Sequence, residues 1–394
     1  MATPALLEDT PNSSLVLGGP LYKLLWRLHW AGSVPQLLRR QAVTCALLCW
    51  VPLALLSLTQ GHFLGGTKLT FLGDVETHVR FLVSLSVLIL AETVVYQRIR
   101  PIVKNFLERQ IVIPEDIPKF YAAVNAAVRI QNSLVAEIAL LVFVFTAGTW
   151  IWRHQIPPDV ASWYASSEGG QLHLTMAGYW LAFVSVPVYQ FILLRWYMRF
   201  LIWFWFLLRV SRLKLHLPAL HPDRAGGIGF LGKSSLGFAP LLFAQSALLS
   251  GQIADRIIYN GESLFASKMT IVGFVAFIVV VALAPLCSVM PQLIRAKREG
   301  LGKYGAFASR YVLKFDQRWL QGKADDEQML GSADIQSLAD LNNSFEVVRG
   351  MRLLLISNQD VVRLFVVTVA PFLPLLLTIM PLDQLLTRAM KIIF

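Results

Sequence analysis

The apolar positions of this chain fall into long uninterrupted stretches that are separated by charged segments. A helix needs about 20 largely apolar residues to cross a bilayer, and seven stretches reach or approach that length. They are residues 42–60, 81–97, 134–152, 174–194, 236–254, 269–290 and 364–380. The pattern predicts an all-α fold, a polytopic integral membrane helical bundle of about seven transmembrane helices with an inner-side helical extension.

The composition agrees with this interpretation and excludes other classes of protein. Apolar residues make up 56% of the 394 positions and charged residues only 15%, whereas a soluble domain has about 25% charged residues. A soluble globular domain, a disordered chain and a disulfide scaffold are therefore excluded. The lipid bilayer is the first partner that the sequence predicts.

The basic residues are distributed unevenly between two sets of connecting segments. With the N-terminus inside, segments 1–41, 98–133, 195–235 and 291–363 are the inner ones, and they hold 28 of the 35 lysines and arginines. Because cytoplasmic loops collect basic residues, this bias predicts a cytoplasmic N-terminus and a C-terminus outside. It also accounts for the net charge of +11, so we expect no nucleic-acid partner.

The same pattern suggests how the chain is organised. We predict a cytoplasmic N-terminal segment (1–41) with an amphipathic helix at 20–30, a transmembrane bundle of six spans (42–290), a cytoplasmic helical region (291–363), and a last span with a C-terminal tail (364–394). Residues 114–133 begin with prolines and acids, which is typical of a helix start. We expect that helix to continue unbroken into the third span.

Two acidic residues lie within predicted spans, at similar depths near the inner surface. They are Glu92 and Glu137, and Arg129, Arg195 and Arg199 fall at the same level. Ionisable residues are costly inside a membrane, so they usually face a partner or a wet cavity. The five residues fit a polar vestibule or ion path, which Gln190, Gln245 and Asp255 would extend. They also fit simple interhelical pairing of each acid with an arginine, and the sequence leaves both interpretations open.

The most specific local motif is the glycine string His221–Ser234, HPDRAGGIGFLGKS. It matches the P-loop pattern, but a P-loop needs a preceding strand and a parallel sheet, and neither is predicted here. A weaker hypothesis is an anion site, because free amides at a helix N-terminus bind phosphate or carboxylate. Its candidate residues are His221, Asp223, Arg224, Gly226, Gly227, Gly229, Gly232 and Lys233. The alternative is a tight turn in which Asp223 caps the backbone or pairs with Arg224.

Several strings resemble a family of uncharacterised bacterial polytopic inner-membrane proteins. They are RIQNSLVAE (129–137), DIQSLADLNNSFEVVR (334–349), PLLLTIMPLDQLL (374–386) and the run 195–232, which ends in HPDRAGG-x-GFLG. The resemblance covers most of residues 80–394 and implies a multi-pass protein of the bacterial inner (plasma) membrane. It implies no activity and no functional residues. The Lys233–Ser234 ending is outside the family's usual pattern, which argues against a P-loop. The topology also resembles that of insect chemoreceptor channels, in architecture only.

These patterns predict a channel- or transporter-like membrane protein with an inner-side polar vestibule. One alternative is a membrane scaffold or sensor that acts through its cytoplasmic helical region, and a weaker one is a membrane enzyme with an anionic lipid or nucleotide substrate. We find no catalytic constellation, so we expect no metal and no cofactor. Helices in the inner region must bury their apolar stripes either on the chain's own bundle or against a neighbouring subunit, and of the two we favour self-association as a homo-oligomer. An anionic ligand at the inner face is the remaining predicted partner.

Overall fold

The computed structural model describes residues 34–149, 162–168, 171–321 and 333–378, and most of these residues are helical. In chain order the helices are α1 (Val34–Thr59), α2 (Val75–Glu108), α3 (Pro114–Gln131), α4 (Leu134–Gly148), α5 (Met176–Val210), α6 (Gly229–Asn260), α7 (Lys268–Leu320), α8 (Ala333–Arg349) and α9 (Asn358–Thr378). The predicted amphipathic helix at 20–30 and the tail after residue 378 lie outside the described residues.

Six of these helices are long and apolar enough to cross a membrane, and the bent pair α3–α4 makes a seventh if it counts as one span. The predicted all-α polytopic bundle is therefore confirmed. Helix α2 packs against α1, α5 and α6. One side of α2 therefore faces protein, and other positions such as Leu82 and Leu90 are exposed.

The expected unbroken helix through the third span is wrong. Helices α3 and α4 meet at an angle of 44°. The cause is Ser133, whose backbone is extended and whose side chain accepts a hydrogen bond from the backbone N–H of Ala136. A serine in this conformation is a strong N-cap, so the chain starts a new helix there instead of continuing α3.

Most of the membrane-length helices contain a segment that departs from α-helical geometry. Wider π-helical turns occur at Val79–Ser84 in α2, Val144–Gly148 in α4 and Leu181–Ser185 in α5. Tighter 3-10 segments occur at Gly229–Phe238 in α6, Ala284–Val289 in α7 and Ala370–Thr378 in α9. Two of the 3-10 segments contain prolines and the third ends two residues before Pro240. Proline removes a backbone donor and disturbs the α-helical ladder.

A two-stranded antiparallel sheet joins α4 to α5, and the sequence pattern did not predict it. Strand β1 (Ala165–Glu168) pairs with β2 (Gln171–Leu174). Strands of four residues are too short to produce a clear period-two pattern. The hairpin is held to the bundle by Trp163, whose indole N–H donates to the buried carboxylate of Asp74 at 2.9 Å.

Helix α7 is longer than any membrane crossing requires. Its 53 residues correspond to about 80 Å of helix at 1.5 Å per residue, against a hydrocarbon core of about 30 Å. The excess extends beyond the bundle, where α8 packs against it. We call the end from which α7 extends the basic end; α2 and α5 finish there and α6 and α9 begin there.

Candidate functional site

A row of residues spaced four apart runs along the buried side of α2, and we call it the polar row. It consists of Glu76, Arg80, Ser84, Leu88 and Glu92. Leu88 belongs to it through its backbone carbonyl. Residues at i and i+4 are neighbours on one helix face, although such a row drifts slowly around a helix with 3.6 residues per turn. The π-helical turn at Val79–Ser84 is wider than an α-helical turn and offsets part of this drift.

At the end opposite the basic end, the polar row begins in a network of charged side chains. The Glu76 carboxylate pairs with Arg80 and accepts a hydrogen bond from Gln252 Nε2 at 3.0 Å. Asp255 of α6 accepts the backbone N–H groups of Val75 and Glu76, each at 2.9 Å. A carboxylate is stabilised at a helix N-terminus because the free amides and the helix dipole both attract it. The contacts fix α2 against α6.

The middle of the polar row is uncharged but remains polar. Ser84 is fully buried, lies 3.0 Å from the hydroxyl of Tyr189, and donates to the carbonyl of Ala244 at 2.9 Å. Nearby on α5, Gln190 donates from its side-chain nitrogen to the carbonyl of Gly148 at 3.4 Å. The buried Oε1 of Gln190 and Oγ of Ser246 have no hydrogen-bond partner among the described residues.

Towards the basic end the row meets α5 through two contacts. The indole N–H of Trp196 donates to the carbonyl of Leu88 at 2.8 Å, and Arg199 Nη1 pairs with Glu92 at 2.8 Å. The Arg199 side chain is only 5% exposed, and its Nη2 has no hydrogen-bond partner in the described part of the chain. Arg199 also lines a small pocket with Val95 and other apolar side chains.

A second arginine–glutamate pair lies beside the first. Arg195 Nε is 3.9 Å from Glu137 Oε1, and both side chains are at least nine-tenths buried. Four of the five residues that the sequence assigned to a vestibule are thus brought together in two ion pairs. The fifth, Arg129, is exposed on α3. Both acids face into the bundle, in the arrangement that the pairing alternative described.

The glycine string folds around one of its own side chains. The carboxylate of Asp223 accepts the backbone N–H groups of Ala225, Gly227 and Gly229 at 2.8, 3.1 and 2.9 Å. The imidazole Nδ1 of His221 lies 2.8 Å from the same carboxylate. Burial raises the pKa of Asp223, but the three amides and His221 lower it more, so its pKa lies below the usual range. An internal carboxylate occupies the amides that the sequence assigned to a bound anion.

The other candidates in this string have structural contacts or point outward. Positive φ angles at Arg224, Gly226 and Gly227 curl the backbone around Asp223. The carbonyl of Arg224 accepts the backbone N–H of Arg352 at 2.7 Å. A Cβ on Gly232 would lie 2.4 Å from the carbonyl oxygen of Leu355, so close packing requires glycine there. Lys233 is exposed, and no described strand leads into the string as a P-loop would require.

Two features of the site were not recognised from the sequence. One is the polar row, although its four-residue spacing is visible in the printed sequence once the buried side of α2 is known. The other is a large groove at the basic end, lined by residues 211–219 and by part of α7. An alternation of basic residues and leucines in RLKLHL (212–217) indicates an extended segment with one basic side.

Comparison with protein-family models, with curated proteins and with solved structures gives no match. The function must therefore be argued from the geometry of the chain itself. That geometry combines a multi-pass helical bundle with a row of buried and half-buried polar and charged contacts along α2.

Proposed function

We propose that this chain is a channel- or transporter-like membrane protein whose conduction path follows the polar row. The observation that carries the proposal is the succession of buried polar contacts on α2 from Glu76 to Glu92. The two residues are sixteen positions apart, which is about 24 Å at 1.5 Å per residue. That length covers most of a hydrocarbon core of about 30 Å.

Polar groups at this depth favour a path over a purely structural role. A bundle gains little stability from polar side chains that it must bury in hydrocarbon, and such groups commonly mark ion or substrate pathways. The Oε1 of Gln190, the Oγ of Ser246 and the Nη2 of Arg199 have hydrogen-bonding capacity that the described residues leave unused. Water or a hydrophilic solute that reached these atoms would satisfy them.

The charged contacts at both ends suggest how the path is controlled. Glu76 pairs with Arg80 at one end, and Glu92 pairs with Arg199 at the other. Passage of an ion or small hydrophilic solute requires each pair to exchange its partner for the solute or for water. The π-helical turn at Val79–Ser84 contains Arg80 itself, and the turn at Leu181–Ser185 precedes Tyr189, the contact of Ser84 on α5. Such turns are common at functional sites.

The orientation of the path is part of the same proposal. The basic end lies on the cytoplasmic side, because positively charged loops are retained there during insertion. The pairs Glu92–Arg199 and Glu137–Arg195 then form the inner-side vestibule, and the network of Glu76, Arg80 and Asp255 lies at the outer end.

Flux into proteoliposomes tests the proposal. Purified full-length protein is reconstituted and screened with monovalent cations, anions, protons and small neutral solutes. We expect the wild type to pass at least one of them, and Ser84→Val and Arg199→Gln each to lower that flux by about tenfold or more, a barrier change of about 1.4 kcal/mol. The lipid-facing control Leu90→Val, at a position 41% exposed, should leave it unchanged. A wild type that passes no solute, or equal flux in all variants, would contradict the proposal.

A further inference from the structure

A groove of about 900 Å³ opens at the basic end, away from the polar row. One wall is the irregular segment 211–219 that follows α5, and the other is the stretch of α7 from Ser288 to Tyr304. Sites for small ligands typically have volumes of about 300–1,000 Å³. The groove is therefore large enough for a ligand of several functional groups.

The irregular wall presents its basic residues to the groove. Arg212, Lys214 and His216 are exposed, whereas the leucines that alternate with them are partly buried and pack against the core. Alternation of this kind follows from an extended backbone, in which successive side chains point in opposite directions. The cationic groups therefore lie on one side of the segment, facing away from the core.

The helical wall adds a second set of polar side chains. Gln292, Arg295, Glu299 and Lys303 all line the groove, and their spacing of three or four residues places them on one face of α7. Together the two walls carry four permanently cationic side chains and a single carboxylate, Glu299. Lys303 pairs with Glu299 at 3.8 Å, and the lining of the groove still has a net positive charge, so a ligand for it should carry negative charge.

The two walls are fixed relative to each other at both ends. Gln292 Nε2 donates to the carbonyls of Ser211 and Leu213 at 2.5 and 2.6 Å. At the other end Gly300 packs so closely on Ala219 that a Cβ would lie 2.6 Å from the alanine Cβ. The backbone N–H of Lys214 is also held by Asp116, at 2.8 Å. A preformed site of this kind loses little entropy on binding.

The groove lies where a membrane surface is expected. The partly buried Trp205 is near the end of α5, and tryptophans concentrate at membrane–water interfaces. Ser211 follows Trp205 by six residues, about 9 Å of helix. The cationic side chains of the groove are therefore at the level of lipid headgroups and the adjoining water.

We propose that this groove binds a phosphate-bearing ligand, with its phosphoryl group between Arg212 and Arg295. Guanidinium groups match phosphate oxygens in charge and geometry, and Lys214 adds a further cation to the lining of the groove. Leu217, Pro218 and Pro291 give the same groove an apolar part. Phosphate of this chemistry comes from an anionic lipid headgroup or from a soluble phosphorylated compound. The inference does not depend on the transport proposal.

The test compares two pairs of substitutions on α7 in otherwise full-length protein. Arg295→Gln/Lys303→Gln removes two charges from the groove, and Arg310→Gln/Lys314→Gln removes two exposed charges further along the same helix. Each protein is placed in phosphatidylcholine nanodiscs and titrated with pyrophosphate and glycerol 3-phosphate. In parallel, native mass spectrometry counts phosphatidylglycerol retained from mixed phosphatidylcholine–phosphatidylglycerol vesicles.

We expect the groove variant to bind at least about tenfold more weakly than the wild type, since one lost charge-assisted hydrogen bond contributes about 1.5 kcal/mol or more. The control variant should keep wild-type binding. Binding of the soluble phosphates identifies a solute site, and selective retention of phosphatidylglycerol identifies a headgroup site; either result supports the proposal. Equal losses in both variants would show non-specific charge attraction and overturn it, as would a wild type that binds none of the three probes.

Discussion

Asp223 illustrates how a single side chain can take the place of a predicted ligand. The glycine string has the backbone amides of an anion site, and three of them donate to Asp223. The sequence could predict that these amides need an acceptor, because buried N–H groups are nearly always paired. It could not predict whether the acceptor belongs to the chain or to a ligand, since both satisfy the same donors.

Removing the Asp223 carboxylate should destabilise the protein. Asp223→Ala leaves the amides of Ala225, Gly227 and Gly229 without their acceptor, and we expect a loss of about 1–3 kcal/mol in unfolding free energy. Asp223→Asn keeps one oxygen and should cost less. Thermal or denaturant unfolding in detergent measures both. Unchanged stability in Asp223→Ala would show that the string is held by other contacts.

Asp223 should also make the stability of the protein fall at low pH. The pKa of Asp223 is lower in the folded protein than in the unfolded chain, so its stabilisation is complete above the unfolded value of about 4 and is lost as the pH falls below it. The Asp223→Asn variant has no carboxylate to protonate, so its unfolding free energy should fall less at low pH than that of the wild type. Parallel pH profiles of the two proteins would contradict the assignment.

The Glu92–Arg199 pair should show strong coupling. Glu92→Gln alone leaves a buried arginine without its counter-ion, which costs about 3–5 kcal/mol. The double variant Glu92→Gln/Arg199→Met removes both charges and should be less destabilised than the sum of the single variants. Arg98→Gln, at an exposed position on α2, serves as the control. If the destabilisation of the double variant equals the sum of those of the two single variants, the two residues do not interact.

At the level of elements, the long apolar stretches predicted the helices reliably. The sequence did not predict where those helices break or become irregular. The long apolar stretches predicted the membrane-length helices, because a lipid-facing helix needs apolar residues around its whole circumference. The break at Ser133 and the π-helical turns depend on caps and packing partners that lie far away in the sequence. Ser84, for example, contacts Tyr189 and Ala244, and no local pattern identifies such partners.

Two glycines, one closely packed and one in open space, give a prediction about stability. Gly232→Ala places a Cβ 2.4 Å from the carbonyl of Leu355, so the start of α6 must move away from the segment before α9, at a cost of about 1–3 kcal/mol. Gly273→Ala on α7 meets nothing within 4 Å and should be neutral or slightly stabilising. Unfolding measurements compare the two variants, and equal stabilities would contradict the predicted contact.

At the level of the whole molecule, the multi-pass architecture followed from composition, whereas the orientation and the self-association remain predictions. Single cysteines at Gly65 and Glu262 should be labelled by an impermeant reagent from outside intact cells. Cysteines at Lys303 and Asn343 should react only after permeabilisation. The native residues Cys45, Cys49 and Cys287 are first replaced by alanine. The opposite pattern would reverse the orientation inferred from the basic residues.

Thiol accessibility along α2 tests the central claim, that the polar row is a hydrated path. Single cysteines are placed at Ser84 and Leu88 on the row, and at Leu82 and Leu90, which are each 41% exposed on the outer side of α2. A small hydrophilic thiosulfonate reacts only with thiolates, which form in water and not in hydrocarbon. We expect modification at 84 and 88 and little at 82 and 90. Reaction at 84 and 88 no faster than at the two lipid-facing positions would mean that the row is dry, and would contradict the account.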